Sequence, residues 1–265
     1  MSRIKTTALF LVRLFGFRRR PPTTRFGKYA RNSERALNVA AFLYLALMAF
    51  PQVLFAHNVN AHGVTVYSRT PLPPETTARI EAAMDLVGRS ELAVPGRTER
   101  VFVCNNPWLY RLFYPGSRGE IAVAIPWTKN IFIRDADIVH DVARGTAPVH
   151  NRRGFSSTVA HEITHGLIRY RIGIFRATFL RSWVDEGYSD YVAQAGSFPE
   201  DEGFRLLREG KDDPSGSFHY FVYRQMVRHL IEDRRYSFDE IVKRASDEEA
   251  IKAETIAALK EKSSR

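Results

Sequence analysis

The run His161-Glu162-Ile163-Thr164-His165 places two imidazoles four residues apart with a carboxylate beside the first. On a helix, positions i and i+4 share a face, so both rings project toward one point while Glu162 lies next to them as a potential base. Imidazole nitrogens in that arrangement suit a zinc ion. At about 100° per residue, Val159, Ile163, Gly166, Leu167 and Tyr170 fall on the roughly opposite face, so the helix can pack and still present its ligands. A third donor, Glu186, stands about twenty residues further on, in Trp183-Val184-Asp185-Glu186-Gly187-Tyr188-Ser189-Asp190-Tyr191, with Asp190 one helical turn beyond it.

The arrangement H-E-x-x-H, about twenty residues, then W-x-x-E-G-x-x-x-Y resembles the gluzincin zinc metallopeptidases, the thermolysin-like clan. The likeness covers Thr158 to Tyr191. It implies one zinc per chain held by His161, His165 and Glu186, with Asp190 accepting a hydrogen bond from a ligand imidazole and orienting it. The metzincin alternative needs Gly and His where this chain has Ile168 and Arg171. No G-x-M-E-N segment is present, which argues against an aminopeptidase and for an endopeptidase-like enzyme acting on peptide or protein substrates. The implied chemistry has zinc lowering the pKa of a water, Glu162 taking its proton, and Glu162 later protonating the leaving amine. A further donor for the oxyanion is expected from His219, Tyr220 or Tyr223, although Tyr220, Tyr223 and Val227 are also spaced as a packing stripe. The segments Glu120 to Ile125 or Asn130 to Arg134 would offer a strand edge to an extended peptide.

The elements that must position these residues read as follows. Strands are expected over 63–68, 100–105, 120–125 and 130–134, with helices from Pro73-Pro74 to about Leu92 and over Pro107 to Phe113. Helices then follow over about 156–170, 182–195, 202–209, 218–233 and 238–260, the last broken near Ser246. Strands first and helices second predict an α+β fold, and the family resemblance makes it a zincin-like domain: a small N-terminal mixed sheet, then a helical half carrying the metal site.

The chain has 265 residues, 45% of them hydrophobic, which suits one folded domain plus an appendage. Its net charge of +10 is concentrated at one end: residues 1 to 35 hold ten Lys or Arg against Glu34, leaving a near-neutral remainder. That distribution argues against nucleic acid as a partner of the main domain and leaves only the tail as a binder of nucleic acid or anionic lipid. The single cysteine, Cys104, excludes an internal disulfide and reads as a small buried hydrophobe.

Ala36 to Ala56 carries no charge, and no Lys or Arg follows until Arg69. Length and flanks together predict one transmembrane helix ahead of the domain. The expected division is a basic cytoplasmic tail over 1–35, an anchor over 36–57 contacting membrane lipid, and the metallopeptidase domain over 58–265. The N-terminus would be cytoplasmic and the main domain extracytoplasmic, periplasmic in a bacterium. Leu54-Phe55-Ala56 fits a signal-cleavage site poorly, whereas the run Ala8 to Phe17 also suits a mitochondrial targeting sequence. The competing reading of the domain is a catalytically inactive zinc-binding or interaction module of the same fold.

Overall fold

The computed structural model describes residues 24–263. The chain divides into two units, Met1–Val53 and Leu54–Arg265. The basic residues before Thr24 and the run Ala8 to Phe17 lie outside the described residues.

In the first unit, helix α1 spans Arg25–Ala49. Its first eleven residues carry Arg25, Lys28, Arg31, Glu34 and Arg35, so the uncharged stretch within the helix is only Ala36 to Ala49. Fourteen residues rise about 21 Å against the roughly 30 Å of a bilayer core. Pro51 opens a 3₁₀ turn over Pro51–Leu54, because a ring-locked residue with no N–H cannot continue the helix. Among the described residues no helix is long and apolar enough to cross a membrane. The transmembrane helix expected over 36–57 is therefore corrected. The single-pass placement argued from it, with the N-terminus cytoplasmic and the main domain extracytoplasmic, is likewise unsupported.

The second unit is α+β, as expected. Its main sheet has five strands in the order β1-β2-β3-β5-β4. These are β1 (His57–Ala61), β2 (Val64–Ser68), β3 (Glu99–Val103), β4 (Ala122–Ala124) and β5 (Asn130–Ile133). The β2-β3 and β3-β5 pairs are parallel, and the outer pairs β1-β2 and β4-β5 are antiparallel, which makes the sheet mixed. Register aligns Val66, Val101 and Ile131 across the three central strands. With side chains alternating by two, Val64, Val66, Val101, Val103, Ile131 and Ile133 join the main core beneath the helices. The other face carries a stack of Tyr67, Phe102, Phe132 and Phe113, with ring centroids 4.8, 5.1 and 4.2 Å apart in turn. Cys104 is buried and free.

Helix α2 (Thr76–Gly88) links β2 to β3, and α3 (Pro107–Phe113) follows β3. The Asn106 side chain accepts from the Leu109 N–H at 2.9 Å and Pro107 takes the first helical position, so α3 starts where its sequence predicts. A second sheet, unexpected from sequence, joins β6 (Asp135–Asp137), β7 (Val142–Arg144) and β8 (Arg152–Arg153).

The helical half comprises α4 (Phe155–Ile172), α5 (Ile174–Thr178), α6 (Ser182–Ala193), α7 (Glu200–Glu209), α8 (Gly216–Arg228), α9 (Phe238–Lys243) and α10 (Glu248–Ser263). A π-helical turn over His229–Asp233 extends α8. The expected break near Ser246 separates α9 from α10.

Candidate metal centre

Helix α4 carries His161, Glu162 and His165. Its N-cap residue, Gly154, has no side chain to cap with; instead Asp141 accepts the Ser156 N–H at 2.8 Å and the Ser156 hydroxyl at 2.9 Å. Gly173, at φ 82°, ends the helix in a conformation that glycine adopts without strain. Val159, Ile163 and Leu167 pack into the core as the periodicity predicts, but Tyr170 is exposed, with Arg97 5.7 Å from its ring centroid. The ligand face is also covered: His161, Glu162 and His165 are each 7% exposed.

The covering element is α6. Trp183 is fully buried and donates its indole N–H to the Ala245 carbonyl at 2.9 Å. Gly187 lies so close to α8 that a Cβ there would stand 2.7 Å from the Tyr223 carbonyl oxygen. These two contacts hold α6 in place, and they account for the Trp and Gly of its motif. Asp185, Glu186, Ser189 and Asp190 of α6 then meet the two histidines of α4.

Three donor atoms converge between the helices. His161 Nε2 and His165 Nε2 are 3.0 Å apart, and Glu186 Oε2 is 3.3 Å from the first and 3.6 Å from the second. Donors about 2.0–2.1 Å from one tetrahedral ion stand about 3.3–3.4 Å from each other, so the spacing fits a metal. The far sides of the rings are engaged as well. His161 Nδ1 is 2.7 Å from Asp190 Oδ1, and His165 Nδ1 is 2.9 Å from Asp185 Oδ1 with the Ser189 hydroxyl at 3.3 Å. His161 Nδ1 also lies 3.2 Å from Arg153 Nη1, which can only donate; a neutral imidazole protonated at the nitrogen facing its carboxylate leaves Nε2 as an acceptor. Both Nε2 lone pairs then point at each other and at a carboxylate, a group of three acceptors that a cation satisfies. His161, His165 and Glu186 form a buried group able to hold a metal ion.

No protein-family model matches the chain, and no curated protein matches it. The chemistry is therefore argued from the residues themselves.

Their electrostatics agree with the geometry. Burial pulls the His165 pKa down, but Asp185 and Glu186 outweigh it and the net shift is well upward. Burial and the Arg153 charge lower that of His161, while Asp190 and Glu186 overcome them. Burial works against the Glu186 and Asp190 charges, yet cationic partners hold both pKa values down: the two imidazoles for Glu186, Arg153 and His161 for Asp190. In the absence of a metal, protons on the imidazoles supply the positive charge that the site needs.

Asp190 lies against His161 Nδ1, and two further residues beside the imidazoles carry no expectation from the sequence. Asp185 serves His165, and its place one turn before Ser189 repeats the spacing of Glu186 and Asp190, so the periodicity held that signal. Arg153, on the two-residue strand β8, pairs its charge with Asp190, Nη2 lying 2.8 Å from Oδ1, and donates to the Ala195 carbonyl at 2.7 Å. Nothing in the local sequence marked it.

The donors lie on the wall of a cleft of about 840 Å³, which Glu162, Tyr220 and the whole of β4 also line. Among the described residues strand β4 pairs only with β5 and forms an edge of the sheet, whereas Asn130 to Arg134, the other expected edge, lies inside the sheet between β3 and β4. Of the three expected oxyanion donors only Tyr220 reaches the cleft. His219 is exposed and lines no part of it. Tyr223 packs against the core, with burial first and then the Glu248 charge raising its pKa. The nearby Glu186 charge, followed by burial, pushes the Tyr220 hydroxyl pKa up, so it remains a proton donor at neutral pH.

Proposed function

We propose that this protein is a zinc-dependent, endopeptidase-like hydrolase of the gluzincin type. The observation that carries the reading is the convergence of His161 Nε2, His165 Nε2 and Glu186 Oε2, each imidazole backed by a carboxylate, on the wall of a cleft that Glu162 also lines.

The donor set suits zinc: two nitrogens and one oxygen, with the cleft open beside them for a further ligand. Zinc bound there would supply a Lewis acid and bring a water's pKa toward neutrality. Glu162 accepts the proton of the attacking water as its oxygen bonds to the peptide carbonyl carbon, and the C–N bond then breaks as Glu162 returns that proton to the leaving nitrogen. Tyr220 donates its hydroxyl hydrogen to the oxygen on which charge develops. The edge of β4 hydrogen-bonds an extended substrate, fixing its direction across the cleft.

The test uses the full chain loaded with zinc. Wild type should bind about one zinc and cleave unstructured peptides, and His161→Ala/His165→Ala should lose both properties. Glu162→Gln should keep the metal and lose at least about a hundredfold in kcat, the usual worth of a positioned base. A zinc-replete Glu162→Gln variant with undiminished turnover would refute the base assignment, and a folded wild type that binds no zinc would refute the site.

A further inference from the structure

Apart from Glu162 and the metal donors, the acids of the cleft are engaged within the protein. Asp185 faces the His165 imidazole at 2.9 Å. Glu120 accepts from the Ser117 hydroxyl at 2.8 Å and from the Arg118 and Gly119 N–H groups at 2.8 and 3.1 Å. Asp213 accepts from the Ser215 N–H at 2.8 Å. Among the cations, Arg153 is held by Asp190. Two arginines in the lining are different: neither Arg118 nor Arg169 has an ion-pair partner for its side chain among the described residues.

Arg169 is the more telling of the two. It lies on α4 one turn beyond His165 and two beyond His161, on the row that carries both metal donors, and it is half-buried. A guanidinium offers a planar fork of N–H donors that matches a carboxylate, and partial burial protects such a pair from screening. An unmatched fork in the lining of a cleft is available to pair with an anion that a substrate brings.

We propose that the cleft selects substrates bearing a carboxylate close to the bond that is cut, that Arg169 binds this carboxylate, and that Arg118 reinforces it from the loop before β4. One helical turn advances about 5.4 Å and an extended peptide about 3.3 Å per residue, so the carboxylate sits about one or two residues from the scissile bond. A lysine at that place would meet a like charge and be rejected. The carboxylate belongs either to an Asp or Glu side chain or to a free C-terminus. The inference rests on the peptidase reading for its catalytic consequence, whereas carboxylate capture itself is independent of turnover.

The experiment has two arms on zinc-loaded full chain. In the first, internally quenched peptides carry Asp, Glu, Asn, Gln or Lys at each of the two positions on either side of the cut, with free or amidated C-termini. Wild type should prefer the carboxylate by at least about tenfold in kcat/KM over its amide counterpart, the range of a charge-assisted hydrogen bond. Arg169→Ala should collapse the preference, read as the ratio of acid to amide kcat/KM, and Arg169→Glu should shift it toward Lys. Preference confined to free C-termini identifies the terminal carboxylate, and preference that survives amidation identifies Asp or Glu. No preference in wild type, or one undiminished in Arg169→Ala/Arg118→Ala, overturns the proposal. In the second arm, Glu162→Gln protein is titrated with the same peptides carrying a fluorescent label, and anisotropy is read. If wild type cleaves nothing, the peptidase reading fails, and this arm still decides: tighter binding of the carboxylate peptide that Arg169→Ala abolishes supports carboxylate capture, and equal binding of acid and amide overturns it.

Discussion

The two histidines of the site make the same contact, Nδ1 to a carboxylate, in unlike surroundings. Behind His161, the Asp190 side chain is 2% exposed and is itself held by Arg153, which ties α6 to β8 and to the Ala195 carbonyl. Behind His165, the Asp185 side chain is 27% exposed and shares the nitrogen with the Ser189 hydroxyl. Asp185, Ser189 and Asp190 all belong to α6, as Glu186 does, so both histidines are backed by the helix that also delivers the third donor. His161 is in addition tied to the second sheet through Arg153, whose Nη1 lies 3.2 Å from its Nδ1. Interactions between charges grow stronger as water is excluded, so two contacts of nearly equal length have different energetic weight.

The largest effect that follows concerns Asp190→Ala. Removing one partner of a buried pair leaves Arg153 charged and unmatched, and should cost about 3–5 kcal/mol, read from denaturant unfolding of the metal-free chain. Asp190→Asn keeps the shape and should weaken zinc binding by up to about a hundredfold in a chelator competition. Asp185→Asn, in the more open setting, should weaken it only about tenfold by the same measurement. Equal losses from the two Asn variants would erase the distinction between the histidines. The smallest effect is a pH dependence of the metal-free melting temperature. Both imidazoles have folded pKa values above the ordinary 6.5, so their contribution is complete below that pH and disappears as pH rises through the raised values. Glu186 and Asp190 are shifted below the ordinary 4.5 and 3.8; their contribution is complete above those values and lost as pH falls through the depressed ones. Metal-free stability should peak between about 4.5 and 6.5 and decline on the alkaline side, and saturating zinc should remove that decline because the ion replaces the protons.

How much of this was legible in the sequence depended on whether the signal was local. His161 and His165 are legible from helical spacing within one element, and Glu186 and Asp190 from the resemblance of their segment to the gluzincin motif. Arg153 is a lone arginine on a two-residue strand, and only tertiary structure brings it to Asp190. Strand β1 escaped notice because His57, Asn58 and Asn60 give an edge strand a polar composition, and the second sheet because its short strands are rich in Asp and Arg. The N-terminal segment failed for another reason. Hydropathy counts apolar residues without asking whether the backbone can stay helical, and Pro51, visible in the sequence, ends that possibility inside the run.

The approach of α6 to α8 at Gly187 bears on how finely the site is dimensioned. A methyl group there would need roughly half an ångström more room against the Tyr223 carbonyl, given ordinary C···O contacts of about 3.3 Å. Tyr220 rides on the same helix one turn earlier, so such a shim would move a side chain that lines the cleft from α8. Misplacement by an ångström is enough to cost about a hundredfold in rate, which makes the absence of a side chain at Gly187 a manufacturing tolerance of the cleft.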